Sequence, residues 1–156
     1  DTKVAVAGCW ALHNIACLEA NHALFAPNVT CTGSVEVIVD LLQAHVDDAA
    51  GVRAACSALW ALAQLRTVRM ALPRCEGVGA AVLAALRRHV ASDADTVHTI
   101  TSVLCTLAEY SCTHSMLDRD QLAGDEVAAL LRRAMDTHSD DRGLQLRCDD
   151  ALTLLR

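Results

Sequence analysis

Apolar residues along this chain recur at helical spacing, and the pattern itself recurs. Four segments resemble one another: Cys9-Trp10-Ala11-Leu12-His13-Asn14-Ile15-Ala16, Cys56-Ser57-Ala58-Leu59-Trp60-Ala61-Leu62-Ala63, Thr101-Ser102-Val103-Leu104-Cys105-Thr106-Leu107-Ala108 and Cys148-Asp149-Asp150-Ala151-Leu152-Thr153-Leu154-Leu155. Their starts lie 47, 45 and 47 residues apart. Each opens on a small residue or thiol, places a core residue three or four positions on, and has Ile or Leu at the seventh position, which is helical periodicity. A second recurring segment falls between them: Gly33 to Leu42, with counterparts that begin at Gly77 or Gly79 and at Gly124. The glycine marks a tight turn, and the apolar run behind it ends in Leu41-Leu42, Ala85-Leu86 or Leu130-Leu131. Acidic and hydroxyl connectors follow, through Asp47-Asp48, Ser92 to Asp95, and Ser139 to Asp141, and these residue types cap the N-terminus of a following helix.

A third, shorter piece completes each unit: roughly Asn21 to Ala26, Val68 to Leu72 with Pro73 ending it, and Ser115 to Leu122. Each unit therefore reads as a short helix, a turn with glycine, a medium helix, an acidic turn and a long helix. The chain opens and closes on a long helix, so about ten helices are expected. Three helices cannot cover their own apolar faces, so neighbouring units must stack to bury a continuous core. The expected fold class is all-α, an α-solenoid in one continuous domain over residues 1–156. The long helix of a partial repeat occupies 1–18, and repeats follow at about 19–66, 67–111 and 112–156. Three coincident spacings with matching turns argue against a bundle without repeats.

Composition narrows the picture. Hydrophobic residues make up 53% of the chain, yet only two Trp, one Tyr and one Phe are aromatic. An Ala/Leu-rich, aromatic-poor core suits close-packed helices. No apolar run approaches the roughly 18 residues that a membrane span needs, and no signal or transit peptide is visible. A net charge of −6 argues against a nucleic-acid binder, which would present a basic face. Eight cysteines raise the question of disulfides or zinc, but no CxxC pair occurs, and Cys112-Thr113-His114 is the only close Cys/His pairing. Cys9, Cys56, Cys105 and Cys148 sit in Ala/Leu-rich helical stretches, where a thiol acts as a small hydrophobe. Reduced, mostly buried thiols point to a cytosolic or nuclear protein.

The stretch Trp10-Ala11-Leu12-His13-Asn14-Ile15-Ala16 resembles the Trp-Ala-Leu-x-Asn-Ile-Ala signature of the third helix of the armadillo repeat family. Gly33 through Leu42 resembles that family's second helix, and Asn21 falls where an asparagine commonly opens the first. The likeness is strongest over about residues 4 to 65. The two-helix HEAT family is the nearest relative, and weak first helices leave the choice between the two open. The resemblance implies a right-handed superhelix of three-helix repeats whose third helices line a concave groove for an extended peptide or a partner helix. In importin-α a ladder of Trp and Asn on those helices clamps the backbone of a basic peptide. Asparagine offers an acceptor and donors to a peptide bond, and an indole packs on a lysine stem. Here Trp10 and Asn14 match that ladder. The equivalent pairs are Ser57/Ala61, Ser102/Thr106 and Asp149/Thr153, and Trp60 is shifted by three positions, which reads as a core residue.

Four-residue steps along the third helices project the groove rows as Val6/Trp10/Asn14, Arg53/Ser57/Ala61, His98/Ser102/Thr106 and Gln145/Asp149/Thr153. The candidate binding residues are Trp10, Asn14, Arg53, Ser57, His98, Ser102, Thr106, Gln145 and Asp149. Other chemistry is thin. His45 and His89 lie near helix C-termini, where an imidazolium meets the helix dipole favourably. Asp47-Asp48 and Asp149-Asp150 are adjacent pairs that point in two directions on a helix, unlike a paired acid and base. Arg87-Arg88 and Arg132-Arg133 recur on the second helices and read as a solvated convex face. No phosphate loop, nucleophile elbow or histidine metal motif occurs. The expectation is a binding scaffold without catalysis or cofactor, whose partner is a protein or peptide. Its alternative is a structural or oligomerising fragment of a longer repeat protein that associates through its exposed end surfaces, with more repeats or with another copy.

Overall fold

Eight helices and their connecting turns account for the residues described by the computed structural model, which are 2–18, 21, 31–72, 75–114 and 125–155, with no strand among them. The helices are α1 (Thr2–Cys17), α2 (Cys31–Ala44), α3 (Ala49–Ala63), α4 (Arg66–Ala71), α5 (Val78–His89), α6 (Ala94–His114), α7 (Asp125–Thr137) and α8 (Arg142–Leu154). The protein is all-helical. The four mutually similar segments fall on α1, α3, α6 and α8, and the second recurring segment falls on α2, α5 and α7. Of the three short first helices expected, the one before Pro73 is described, as α4. The other two, around Asn21–Ala26 and Ser115–Leu122, lie outside the described residues apart from Asn21 itself.

Packing proceeds from neighbour to neighbour. The long helices meet in succession, α1 on α3, α3 on α6 and α6 on α8, while α2 packs on α5 and α5 on α7. One contiguous core runs through both sets, from Cys9 and Ala16 in α1 to Leu144, Cys148 and Ala151 in α8. Small side chains permit the close approach: Ala54, Ala55, Cys56, Ala58, Ala61 and Ala63 of α3 are all buried. Cys9, Cys56, Cys105 and Cys148 are buried free thiols, as their apolar surroundings lead one to expect. Desolvation pushes the Cys56 thiol up to about 12, and Cys105 and Cys148 up to about 11.

Each acidic turn does cap a long helix. Asp48 accepts a hydrogen bond from Ala50 N at 3.1 Å, Asp93 from Thr96 N at 3.0 Å and Asp141 from Leu144 N at 2.9 Å. Thr96 Oγ1 donates a second bond to Asp93 at 2.8 Å and holds that carboxyl below its ordinary range, with Arg53 assisting. The caps also fix the register. Asp48 to Asp93 is 45 residues, matching the sequence spacing, but Asp93 to Asp141 is 48, one more than the similarity of the last two segments suggested. Replacing Asp141 by Ala should cost about 1 kcal/mol, measurable as a lower urea midpoint at unchanged m-value.

Glycine plays two different parts. Gly77 is the N-cap of α5 with φ +80°, so the expected tight turn is present there. Gly33 is different: it lies inside α2, whose first turn already begins at Cys31, and a Cβ there would meet nothing. Gly124 is outside the described residues. Gly77→Ala should therefore destabilise by roughly 1–2 kcal/mol through the left-handed backbone, whereas Gly33→Ala should stabilise by roughly 0.5–1 kcal/mol. Thermal melts of the two variants should shift in opposite directions.

Side chains tie the second helices together at their ends. His89, the last residue of α5, is buried, and its Nε2 lies 2.6 Å from Val46 O just beyond α2. Its Nδ1 lies 3.0 Å from Ser92 Oγ. It thus bridges two elements, which is more than the dipole role expected for it. His45 Nδ1 lies 3.4 Å from Thr2 Oγ1 at the start of α1. Arg88 pairs with Asp47 beyond α2, and Arg87 forms a two-pronged pair with Glu126 of α7 at 2.6 and 2.8 Å. The basic face is exposed as expected, but these two arginines are engaged. Arg132 and Arg133 are exposed.

Candidate binding face

The candidate residues on the long helices differ in exposure. Trp10, Asn14 and Asp149 are exposed, and Arg53, His98, Thr106 and Gln145 are half-buried. Ser57 and Ser102 retain only 9% and 7% of their surface, and Ala61 is fully buried. Ser57 and Ser102, expected on the groove face, are therefore buried and do not face solvent. Their burial is inexpensive because a helical hydroxyl can return its proton to the preceding turn. Ser102 Oγ donates to His98 O at 2.9 Å and Thr106 Oγ1 to Ser102 O at 3.0 Å, while Thr153 Oγ1 donates to Asp149 O at 2.9 Å.

Trp60 is also placed differently. It is 37% exposed and shares the open side of α3 with Arg53 and Gln64, while Ala61 points inward. The reason is geometric. Each four-residue step overshoots a 3.6-residue turn by about 40°, so two steps carry the projection into the core and a step of seven stays on the face. The open side of α3 therefore runs Arg53, Trp60 and Gln64, with Ser57 buried at its edge. Gln64 Nε2 donates to Trp60 O at 3.2 Å, which fixes that end of the face.

Several candidates are already engaged within the chain. Arg53 reaches across to the cap of α6, 3.7 Å from Asp93 and 3.9 Å from Asp95. Gln145 turns away from the face: its Nε2 donates to Met135 O at 2.7 Å and His138 O at 3.0 Å, closing carbonyls at the end of α7. Asn21 does the same for α1, with Nδ2 donating to Ile15 O at 3.1 Å. His13 was absent from the candidate residues yet lies on this face. Its Nδ1 is 3.0 Å from Ser57 O, tying α1 to α3, and its ring meets Trp10 edge to face at 5.6 Å.

The mouth between α1 and the start of α3 is open. A groove of about 460 Å³ there is lined by Lys3, Val6 and Trp10 of α1 and by Asp48 and Ala50. Its floor is apolar, and one cation and one anion stand among its lining residues. Trp10 is the member of the candidate set that lines it. Among the described residues no group of three or more His, Cys, Asp or Glu could hold a metal ion, and no helix is long and apolar enough to cross a membrane. The side chains of Cys112 and His114 are outside the described residues. No family model, no curated protein and no solved structure matches the chain.

Proposed function

We propose that the chain is a protein-interaction scaffold: a right-handed α-solenoid of three-helix, armadillo-type units that holds a peptide or partner helix on its long-helix face. The supporting observation is that α1, α3, α6 and α8 pack in succession and leave an apolar groove beside exposed Trp10. Trp10 supplies a rigid aromatic surface of the kind that dominates binding energy, with Asn14 one turn away to pair with a peptide backbone. Buried, reduced thiols suit a cytosolic or nuclear setting.

Crosslinked pull-downs that compare the chain with Trp10→Ala and Asn14→Ala test this reading. Both positions are exposed, so the fold should tolerate either change. Recovery of the specific partner should fall about tenfold with Trp10→Ala. Equal recovery from all three chains would remove the groove from consideration. Arg53→Glu is a poorer probe, because the new carboxylate would face Asp93 and Asp95.

A second reading, assembly through the ends of the stack, is favoured by a specific feature. The outer side of α1 is apolar and exposed at Val4, Ile15 and Leu18.

A further inference from the structure

The long helices can be superposed in sequence by their Asp caps and similar segments, and one side of each then stands out. In α3, which packs against α1, the positions Ala55, Ala58 and Leu62 are buried. Their equivalents in α6, which packs against α3, are Ile100, Val103 and Leu107, and at α8, which packs against α6, they are Cys148, Ala151 and the C-cap Leu155. All are buried except Leu155, which is half-buried. The same positions in α1 are Gly8, Ala11 and Ile15, flanked by Val4 and Leu18, and all five are exposed. Exposure reaches 70% at Val4, 40% at Ile15 and 60% at Leu18. Val4, Gly8, Ala11, Ile15 and Leu18 follow one another at steps of four and three, the spacing of a helix-contact seam, and none is polar.

The other end of the stack is different. Arg142, Asp149 and Thr153 are exposed on α8, and Leu146 is the one large hydrophobic residue exposed there. That surface is polar enough to stand in water, so a head-to-tail array of copies lacks a matching face. The apolar seam is confined to α1.

We infer that the seam Val4-Gly8-Ala11-Ile15-Leu18 is a stacking site for one more unit of this same architecture, whose long helix lies parallel to α1. The inference rests on the reading of the long helices as successive equivalents, and it extends an interface that the chain already makes three times. Ion pairs and hydrogen bonds between neighbouring long helices fall at near-constant offsets, His13 to Ser57, Arg53 to Asp95 and Cys105 to Arg147, so the helices run parallel. The occupant's contact stripe must be small and aliphatic, like the Cys9, Leu12 and Ala16 that α1 turns inward. A donor one turn along is also expected, since His13 and Cys105 hold equivalent places and each meets a carbonyl of the next long helix.

The test supplies such a unit in cis. A second copy of residues 48–92 is fused directly ahead of Asp1, because that segment ends just before the Asp cap of a long helix within the chain. Backbone amides of α1 should then exchange at least about tenfold more slowly than in the parent chain. Ala11→Glu should abolish that gain in the extended chain and leave the parent's melting temperature unchanged. Unchanged exchange in α1, or an added segment without helical circular dichroism, would overturn the inference. So would a parent chain that sediments as a dimer dissociated by Ala11→Glu, since a second copy would then be the occupant. Ala58→Glu in the parent separates the two levels: if it fails to destabilise, the equivalence of the long helices itself is wrong.

Discussion

Leu62→Ala is expected to lower the unfolding free energy by about 2–5 kcal/mol, whereas Ile15→Ala should change it by less than about 1 kcal/mol. The two side chains hold the same place in similar segments, 47 residues apart. Leu62 is covered on α3, and Ile15 stands on the open side of α1. Removing three methylene-sized groups from a packed interior costs their transfer free energy and the cavity left behind. Removing them from an exposed surface costs little. Leu107→Ala, at the next equivalent position in α6, should behave like Leu62→Ala. Urea titrations of the three variants with a common m-value check this directly. Equal losses at Ile15 and Leu62 would mean that α1 is covered in solution by something else.

The second large effect is alkaline destabilisation. Burial raises Cys56 to about 12 and Cys105 and Cys148 to about 11, against an ordinary value of 9.0. Above pH 9 the unfolded chain releases these protons and the folded chain retains them, so stability falls as pH rises. The contribution is fully present below the unfolded pKa and is lost progressively up to the folded values. At pH 10 each thiol has cost the fold about 1.4 kcal/mol, or on the order of 4 kcal/mol for the three together. A chain carrying Cys56→Ala, Cys105→Ala and Cys148→Ala should show a much flatter stability profile between pH 8 and 10. An unchanged slope would mean that these thiols are not desolvated. At neutral pH the same burial should leave Cys17, which is exposed, as the fastest of the described thiols to alkylate.

The helical class was legible because α1, α3, α6 and α8 each carry a small-residue stripe at helical spacing. The Asp turns were legible for a related reason: a carboxylate before an apolar run has few other uses, and Asp48, Asp93 and Asp141 all serve as expected. The binding face was less readable, and the causes are specific. Polar residue type does not report exposure here, because Ser102 and Thr106 satisfy their hydroxyls within their own helix and need no water. Four-residue stepping drifted off the face at Ala61 and put Trp60 in the core, where a seven-residue step would have kept it outside. Spacing placed Gln145 on the groove row, but its side chain turns to carbonyls of Met135 and His138, in and just past the preceding helix, which local spacing does not reveal. His13 was overlooked since nothing in the local pattern distinguishes a histidine that bridges two helices from one that faces solvent.

The central claim is that the four long helices lie side by side in order, each touching only its neighbours in the row. Spin labels at Asn14→Cys and Thr153→Cys, both exposed, sample the first and last of them. Cys17, Cys31, Cys75 and Cys112 would be replaced by serine, leaving the buried thiols in place. Three successive helix-to-helix steps of 8–10 Å predict a separation of about 25 Å or more between the labelled backbones. Electron–electron dipolar spectroscopy that returned a single distance below about 15 Å would place α1 against α8, in a closed bundle rather than a row.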